Sequence, residues 1–316
     1  MDKNIKVYIA GHRGLVGSAI TREFEAQGYT NIITRGHKEL DLTDAKAVEE
    51  FFAKEKPDWV ILAAAKVGGI HGNSTYPVDF MLDNLKIQNN VIENAYKNDV
   101  KKLMFLGSSC IYPRETPQPM KEEYLLSSYL EKTNEPYALA KICGIKLCEA
   151  YNRQYGTDYI SVMPCNMYGL NDNYHPQNAH VLPMLIRRFH EAKEEGLKEV
   201  VVWGTGTPRR EFMYAGDLAT AIIYLMENKS AKEIGEFVNV GYGSDISILE
   251  IANMVKNIVG FEGELVLDKT KPDGTMLKLM DVSRMNALGW KAQMSLEDGL
   301  KIAYQDFLNN KEIRLS

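Results

Sequence analysis

The chain has 316 residues, of which 45% are apolar and 25% charged, a composition typical of a globular protein. Its formal net charge of −5 argues against nonspecific binding to nucleic acid. No apolar run approaches the roughly 20 residues that a membrane-spanning helix needs, and the first residues lead directly into a predicted strand, so we expect no membrane span and no signal peptide. The four cysteines show no paired spacing and the histidines no HExxH pattern, which predicts a cytoplasmic protein without disulfides or a metal site.

A glycine-rich turn stands near the start of the chain, between a predicted strand at residues 6–10 and a helical pattern from Val16 to about Gln27. Its three glycines, Gly11, Gly14 and Gly17, have the spacing GxxGxxG. In this context they allow a tight turn and a close approach of the backbone to a pyrophosphate at the N-terminus of the helix. We therefore interpret the turn as a dinucleotide site; the alternative is a loop that only needs positive φ angles.

The residues after the second predicted strand, at residues 31–34, favour NADP over NAD. A site that prefers NAD has an acidic residue at the end of this strand, whereas the first acid here is Glu39. Arg35 stands in that place, and Arg13 lies inside the glycine turn. Cations in both places suit a 2′-phosphate, although an ordinary surface charge cluster is the alternative. Residues 40–42 could then flank the adenine.

Strands alternate with helices through the first half of the chain. Further strands are predicted at residues 58–62, 102–106 and 159–163, and helices after Asp44, after Pro77 and from Tyr137. This alternation predicts an α/β fold with a Rossmann-type, doubly wound parallel sheet, in which ligands bind at the carboxyl ends of the strands.

After residue 168 the alternation changes, which predicts a smaller C-terminal substrate-binding lobe over residues 169–316. Residues 1–168 would form the NADP-binding domain, together with elements that return near residues 205–240. In the second half, a helix is predicted from His180, Asp217 is expected to cap an apolar helix, and Ser247 with Glu250 matches a capping box. We expect the irregular segment 111–133 to cover part of the site.

Tyr137 and Lys141 lie one turn apart on one face of the predicted helix, so that the ammonium can sit near the phenol. A cation there would lower the pKa of the tyrosine and make it a usable acid near neutral pH. The spacing alone would indicate a solvated surface pair. The glycine turn and Ser108, which follows the fourth predicted strand, favour a catalytic pair instead.

The chain resembles the extended short-chain dehydrogenase/reductase family over nearly its whole length. The resemblance rests on six residues in the expected order and spacing: Gly11, Gly14, Gly17, Ser108, Tyr137 and Lys141. Within that family, residues 63–70, 106–113, 133–137 and 271–275 are similar to those of the GDP-L-fucose synthases.

That resemblance implies the NADPH-dependent conversion of GDP-4-keto-6-deoxy-D-mannose to GDP-L-fucose. Epimerisation at C3 and C5 would precede hydride reduction at C4. NADP(H) would be the cofactor and a GDP-sugar the small-molecule partner. The resemblance also implies a homodimer that packs through helices of the nucleotide domain.

The resemblance assigns a role to each of five catalytic residues. Tyr137 would donate a proton to O4, and Lys141 would bind the nicotinamide ribose and tune the tyrosine. Ser108 would hydrogen-bond the ketone oxygen. Cys110 and His180 would be the acid/base pair of the epimerisation, without an assignment of base and acid at each centre.

The resemblance also assigns binding residues. The cofactor would contact Gly11, His12, Arg13, Gly14, Leu15, Val16, Gly17, Arg35, His37, Asp41, Leu42, Leu106, Gly107, Ser108, Ser109, Lys141, Pro164, Cys165, Asn166, Met167 and His180. The nucleotide sugar would contact Arg188, Trp203, Arg210, Asp273 and Lys278. Two positions depart from the family: His37 stands where a second arginine is usual, which loosens the NADP prediction, and Cys165 replaces an expected threonine.

Other interpretations stay open at this point. A related 4,6-dehydratase would carry an acidic pair after the catalytic serine or threonine, where Ser109 and Cys110 stand here. A related 4-epimerase would need no Cys/His pair and would retain its NAD. A non-catalytic, NADP-sensing scaffold would have no need for the intact set of Ser108, Tyr137 and Lys141. The residues do not determine the identity of the nucleotide base, the order of the two epimerisations or the dimer interface.

Overall fold

The computed structural model of the protein describes residues 2–176, 179–271 and 273–310, without the side chains of residues 70 and 71. Its strands are β1 (Val7–Ala10), β2 (Ile32–Ile33), β3 (Trp59–Leu62), β4 (Lys102–Leu106), β5 (Tyr159–Pro164), β6 (Asn166–Tyr168), β7 (Glu199–Trp203), β8 (Arg209–Tyr214), β9 (Val238–Val240), β10 (Asp245–Ser247), β11 (Glu264–Asp268) and β12 (Leu277–Lys278). Its helices are α1 (Leu15–Ala26), α2 (Ala45–Glu55), α3 (Ile70–Thr75), α4 (Pro77–Lys97), α5 (Glu135–Tyr155), α6 (Val181–Glu194), α7 (Ala215–Asn228), α8 (Ala231–Ile234), α9 (Ile248–Val259), α10 (Ser283–Ala287) and α11 (Leu296–Asn309). Among the described residues, no helix is both long and apolar enough to cross a membrane.

Six parallel strands form the central sheet, in the order β2-β1-β3-β4-β5-β9. Every residue of β1, β3 and β5 is buried, as expected of a parallel sheet with helices on both faces. The strand order reverses between β1 and β3, and the crevice at the carboxyl ends of these strands is where such folds bind nucleotides. The predicted Rossmann-type doubly wound sheet is confirmed.

The chain leaves the central sheet after β5 to build a smaller lobe. Strand β6 pairs with β8, which also pairs with β10 and β12, while β7 and β11 form a separate parallel pair. Apolar side chains of α6, α9 and α11 form a second buried cluster here. Two later elements return to the larger domain: α7 packs against α1, and β9 extends the central sheet beside β5.

Two of the three helix caps predicted from the sequence are confirmed. Asp44 accepts hydrogen bonds from the backbone amides at the start of α2, at 3.0 and 3.1 Å, and Ser247 and Glu250 form the predicted capping box of α9. The prediction that Asp217 caps α7 is wrong, because Tyr214 is the N-cap residue. The Asp217 carboxylate instead accepts from the amides of residues 293 and 294, at 2.9 and 2.8 Å, and so ties the C-terminal segment to α7.

Candidate active site

The glycine turn after β1 is packed too tightly for side chains at two positions. Gly11 has a φ of +88°, and a Cβ added there would lie 2.7 Å from the amide nitrogen of Ala64. A Cβ on Gly17 would lie 2.0 Å from the carbonyl oxygen of Gly11. These two glycines therefore hold the turn against both α1 and the chain that follows β3.

The turn leaves polar groups available to a ligand. Gly14 is the N-cap residue of α1 and offers no side chain to the first amides of the helix, which are then directed at the crevice. The Nδ1 atom of His12 is buried and has no hydrogen-bond partner among the described residues. A pyrophosphate would satisfy the helix amides, so the residues present fit a dinucleotide.

Arg13 covers the end of β2. A Cβ on Gly36 would lie 3.0 Å from Cζ of the Arg13 guanidinium. The amide of Gly36 donates to Oε2 of Glu39 at 2.6 Å, which fixes the loop that follows the strand. The structure thus places a cation where a ribose 2′-substituent would lie.

Arg35, the other arginine predicted to bind the cofactor, is engaged elsewhere. It forms an ion pair with Glu55 of α2 at 2.8 Å and lies 5.7 Å from the centroid of the Phe51 ring. His37 is exposed, and its Nδ1 atom lies 3.8 Å from Oδ1 of Asp41. The structure therefore brings Arg13 to the end of β2 but holds Arg35 against α2.

The other predicted cofactor residues lie at the carboxyl ends of β4 and β5 or between β2 and α2. Those at β4 and β5 are Leu106, Gly107, Ser109, Pro164, Cys165, Asn166 and Met167. Asn166 donates from Nδ2 to the backbone oxygen of Glu211 at 2.8 Å, which connects the end of β5 to β8 of the smaller lobe. Leu42, after β2, accepts from Asn90 of α4 at 2.9 Å.

Ser108 links two of the predicted catalytic residues. It follows β4 in an extended conformation, with a φ of −160°, and its hydroxyl lies close enough to the side chains of Tyr137 and Cys110 to lower the pKa of both. The amide of Cys110 also donates to Oγ of Ser108 at 3.4 Å. Residues from two separate stretches of sequence therefore meet at one hydroxyl group.

Lys141 lies beneath this group and is almost fully buried. Its Nζ atom donates to the backbone oxygen of Leu106 at 2.8 Å and lies 5.9 Å from the centroid of the Tyr137 ring. Helix α5 can approach β4 closely because a Cβ on Gly144 would lie 2.3 Å from Cζ of Phe105. Burial lowers the pKa of Lys141 to about 8.

The pKa of Tyr137 shifts in the direction opposite to the one expected from the sequence. Burial raises it, and the hydrogen bond from Ser108 offsets part of the rise. Lys141 is not among the groups that lower it, and its ammonium donates to the backbone oxygen of Leu106. A raised pKa keeps the phenol protonated at neutral pH, which is the form that a proton donor needs.

The pKa of Cys110 is also raised above its ordinary value. Burial is the largest effect and raises it. The hydrogen bond with Ser108 and the charges of Lys278 and Lys141 act in the opposite direction. The thiolate is therefore disfavoured by desolvation and favoured by two lysines.

His180 is the N-cap residue of α6, and its backbone oxygen accepts from the amide of Met184 at 3.1 Å. The ring is accessible to solvent, while the protein atoms around it lower its pKa and favour the neutral imidazole. This position matches the predicted helix start. The structure brings Ser108, Cys110 and Tyr137 together and leaves His180 at the start of α6 in the smaller lobe.

Two cations of the smaller lobe lie side by side near Cys110. The pairing of β12 with β8 sets Lys278 opposite Arg210. Burial lowers the pKa of both groups, and the charge of Arg210 further lowers that of Lys278. Neighbouring cations of this kind suit a diphosphate.

Trp203, at the end of β7, presents a ring that is 59% exposed. The guanidinium carbon of Arg188 lies 5.7 Å from the ring centroid and the Lys271 ammonium 5.4 Å from it. The Asp273 carboxylate accepts from the amide and the hydroxyl of Thr205, at 2.9 and 2.7 Å. An exposed aromatic face flanked by cations is suited to stacking with a nucleotide base.

Comparison with known proteins assigns the fold to a family. The model of the NAD dependent epimerase/dehydratase family matches residues 7–241. The chain belongs to this family. The description of this family indicates a nicotinamide cofactor, and the open helix amides of the glycine turn fit the pyrophosphate of such a dinucleotide.

Within the NAD dependent epimerase/dehydratase family, this chain is similar to proteins named GDP-L-fucose synthase. It is 58% identical to GDP-L-fucose synthase 1 of Arabidopsis thaliana, over 98% of this chain and 95% of that protein. It is 54% identical to the GDP-L-fucose synthase of Escherichia coli, over 97% of this chain and 98% of that one. A solved GDP-mannoheptose C4 reductase from Campylobacter jejuni with NADP bound superimposes with a TM-score of 0.89 at 42% identity, covering 98% and 99% of the two chains.

Some residues of the site did not emerge from the sequence. Lys271 reaches Trp203 because β11 and β7 pair in parallel, with Asp268 opposite Trp203. The motif at residues 271–275 includes Lys271 and was the available signal, but the pairing of β11 with β7 cannot be predicted from neighbouring residues. The charge of Glu131, in the segment before α5, raises the pKa of Lys278. The residues on either side of Glu131 form no motif that would have predicted this role.

Proposed function

We propose that the chain catalyses the NADPH-dependent conversion of GDP-4-keto-6-deoxy-D-mannose to GDP-L-fucose. The observation that carries the proposal is the hydroxyl of Ser108, which lies beside both the phenol of Tyr137 and the thiol of Cys110 and lowers the pKa of each. A reductase needs the phenol, and an epimerase needs a group such as the thiol. The names of the two relatives at 58% and 54% identity support the same reaction.

The two inversions use one oxygen-binding site. The 4-keto group acidifies the hydrogens on C3 and C5, so that each inversion removes a proton from one face and returns one to the other. Cys110 and His180 are the proposed acid/base pair. The hydroxyl groups of Ser108 and Tyr137 donate to the oxygen that becomes negatively charged in the enolate.

The reduction then uses the same oxygen contacts. NADPH, when bound, supplies the hydride that reduces C4. Tyr137, which its raised pKa keeps protonated, delivers its proton to O4 as negative charge develops on that oxygen. Lys141 holds the chain at the end of β4 and is placed to meet the nicotinamide ribose.

The proposed substrate contacts lie in the smaller lobe. Arg210 and Lys278 provide adjacent cations for the diphosphate, and Trp203 with Arg188 provides a stacking surface for the base. Asp273 closes the turn beside this ring. The preference for guanine rests on the names of the relatives.

We also propose that the cofactor is NADP rather than NAD. Arg13 covers the end of β2, where an acidic residue would bind the 2′-hydroxyl group of NAD. The C. jejuni reductase that this chain resembles was solved with NADP, which supports the proposal.

A homodimer in the cytoplasm is the proposed working state. Helices α4 and α5 pack together and leave Leu82, Tyr96 and Tyr155 between 38% and 50% exposed. Apolar side chains of this size on one helix pair suit burial against a second copy. Light scattering after size-exclusion chromatography should give twice the chain mass, and Tyr96→Glu should reduce it toward the monomer.

The test of the reaction is the loss of NADPH absorbance in the presence of GDP-4-keto-6-deoxymannose. The wild type should oxidise NADPH and form GDP-fucose, Tyr137→Phe should stall, and Cys110→Ser should fail to exchange the C3 and C5 protons with solvent. Cys143→Ser, at an exposed cysteine on α5, is the matched control and should behave as wild type. A wild type that leaves NADPH untouched but interconverts nucleotide hexoses with tightly held NAD would replace this proposal with a 4-epimerase.

A further inference from the structure

A narrow pocket leads from Cys110 to the surface of the protein. Its wall includes Cys110, Lys278, Glu131 and Arg114. The Arg114 side chain is 61% exposed, so the outer end of the pocket reaches solvent. Tyr137 is not among the described residues that line it. The pocket therefore approaches Cys110 from a side other than that of the phenol.

The charged groups of this pocket form a sequence from the thiol outward. Lys278 and Cys110 each influence the ionisation of the other. The charge of Glu131 raises the pKa of Lys278, against the effects of burial and of Arg210, which lower it. Glu131 then pairs with Arg114, with 3.3 Å between Oε2 and Nε. The order from the inside to the surface is therefore the thiol of Cys110, the amino group of Lys278, the carboxylate of Glu131 and the exposed guanidinium of Arg114.

The pocket is held in place by backbone contacts between two distant segments. The amide of Met120 donates to the backbone oxygen of Leu279 at 2.7 Å, and the amide of Leu279 donates to Oε1 of Gln118 at 2.9 Å. The amide of Asp281 donates in turn to the oxygen of Met120 at 2.8 Å. Lys278 is therefore fixed against the loop that carries Arg114 and leads toward Glu131.

The proposed function, on which this inference rests, creates a need for such a route. Each inversion places a proton on one member of the Cys110/His180 pair and removes one from the other. When each group keeps the same role in both inversions, both must regain their starting states before the second one, while the sugar occupies the cleft in front of them. His180 is exposed, whereas Cys110 is only partly exposed and lies in the wall of this pocket.

We propose that the pocket behind Cys110 is the path by which its thiol exchanges a proton with solvent between the two epimerisations. Lys278, an ammonium at the start, first passes a proton to the Glu131 carboxylate. The S–H bond then breaks as an N–H bond forms on the resulting amine, which leaves a thiolate and an ammonium, and Glu131 releases its proton to water beside Arg114. Where the thiol serves as the acid, the same transfers run inward. Lys278 and Glu131 act through Cys110 and not on the sugar carbons.

The experiment follows single turnovers in D₂O with NADPH present. Rapid quenching and mass spectrometry give the rates at which the first and second deuterium atoms enter the sugar. Glu131→Gln keeps the shape of the side chain but cannot carry the proton, and Glu123→Gln, at an exposed glutamate nearby, is the matched control. Melting temperatures of both variants establish that they are folded.

In Glu131→Gln the first deuterium should enter at the wild-type rate, because the first inversion needs no prior exchange. The second should enter at least about tenfold more slowly, and a singly inverted sugar should accumulate. Added imidazole should restore the second rate in this variant and leave Glu123→Gln unchanged.

Equal slowing of both exchanges would overturn the proposal, since it would mean that Glu131 supports substrate binding or the fold. A second exchange at the wild-type rate would also overturn it, because the proton would then leave by another route. A wild type that incorporates no deuterium and leaves NADPH unoxidised would instead refute the proposed function. The two failures are therefore distinguishable in one set of measurements.

Discussion

Replacing Gly17 by alanine tests whether the turn after β1 is set by backbone packing. The new Cβ would lie 2.0 Å from the carbonyl oxygen of Gly11, 2.6 Å from its carbonyl carbon and 3.0 Å from the amide nitrogen of His12. Ordinary van der Waals contact begins at 3.4 Å, so the shortest distance falls short by the difference, 1.4 Å. All three neighbours are backbone atoms, and no side chain can rotate away to make room.

The magnitude follows from two opposing effects. Overpacking a tight site costs about 1–3 kcal/mol, and a backbone clash belongs at the upper end of that range. Alanine in place of glycine in a helix returns about 1 kcal/mol. We therefore expect the free energy of unfolding of Gly17→Ala to fall by about 2 kcal/mol. A turn displaced by roughly 1 Å should also lower kcat/KM for NADPH by about 100-fold.

Unfolding without cofactor, followed by steady-state kinetics, measures both effects. Gly14→Ala is the control for stability, because its nearest neighbour would be 3.7 Å away and its φ of −77° suits any residue. It should lose less than about 1 kcal/mol, the cost of a poorer helix cap. If Gly17→Ala unfolds like Gly14→Ala and uses NADPH like the wild type, the packing argument for the turn is refuted.

Three further predictions concern charge and hydrogen bonding in the site. The pKa of Lys141 is lowered to about 8, so between pH 8 and its unfolded value of 10.5 the unfolded chain binds more protons than the folded one. The melting temperature of the wild type should therefore rise with pH across that window, relative to that of Lys141→Met. A difference in melting temperature that stays constant with pH would contradict the lowered pKa. Thr205→Val removes the hydroxyl that donates to Asp273, and KM for the GDP-sugar should rise about 3–10-fold with kcat unchanged, whereas Thr205→Ser should keep the wild-type KM. Arg13→Ala should raise KM for NADPH more than for NADH. Arg35→Ala should leave the ratio of the two KM values unaltered, because Arg35 is paired with Glu55 within the nucleotide domain. If the two variants have the same ratio, Arg13 is not the residue that recognises the 2′-phosphate.

The fold and part of the site follow from local patterns. The buried apolar strands that alternate with helices specify the parallel sheet, and each strand end then places its next residues at the same edge. This places Ser108 at the edge where ligands bind, whereas the grouping of Cys110 and Tyr137 with it was predicted from the family resemblance. The start of α6 at His180 and the cap at Asp44 likewise depend on signals within a few residues.

The rest depends on contacts between distant segments. Arg35 follows a strand as a cofactor-binding residue would, yet its side chain meets Glu55 twenty positions later, at the end of α2. Asp217 has the composition of a helix cap, but its partners are amides of residues 293 and 294. The direction of the pKa shift of Tyr137 is set by burial, which depends on how α5 packs and not on the spacing to Lys141.

Lys278 lies in β12, late in the chain, and this has a consequence for the order in which the site is completed during synthesis. The central sheet acquires its last strand with β9, at residues 238–240, and the groups that bind the dinucleotide have all been synthesised by then. Lys278 and the segment that anchors it to Met120 come some forty residues later along the chain. Cys110 therefore has Lys141 nearby before Lys278 has been made. The second lysine beside the thiol is added with the segment that completes the core of the larger domain, which includes Met280 and Met285.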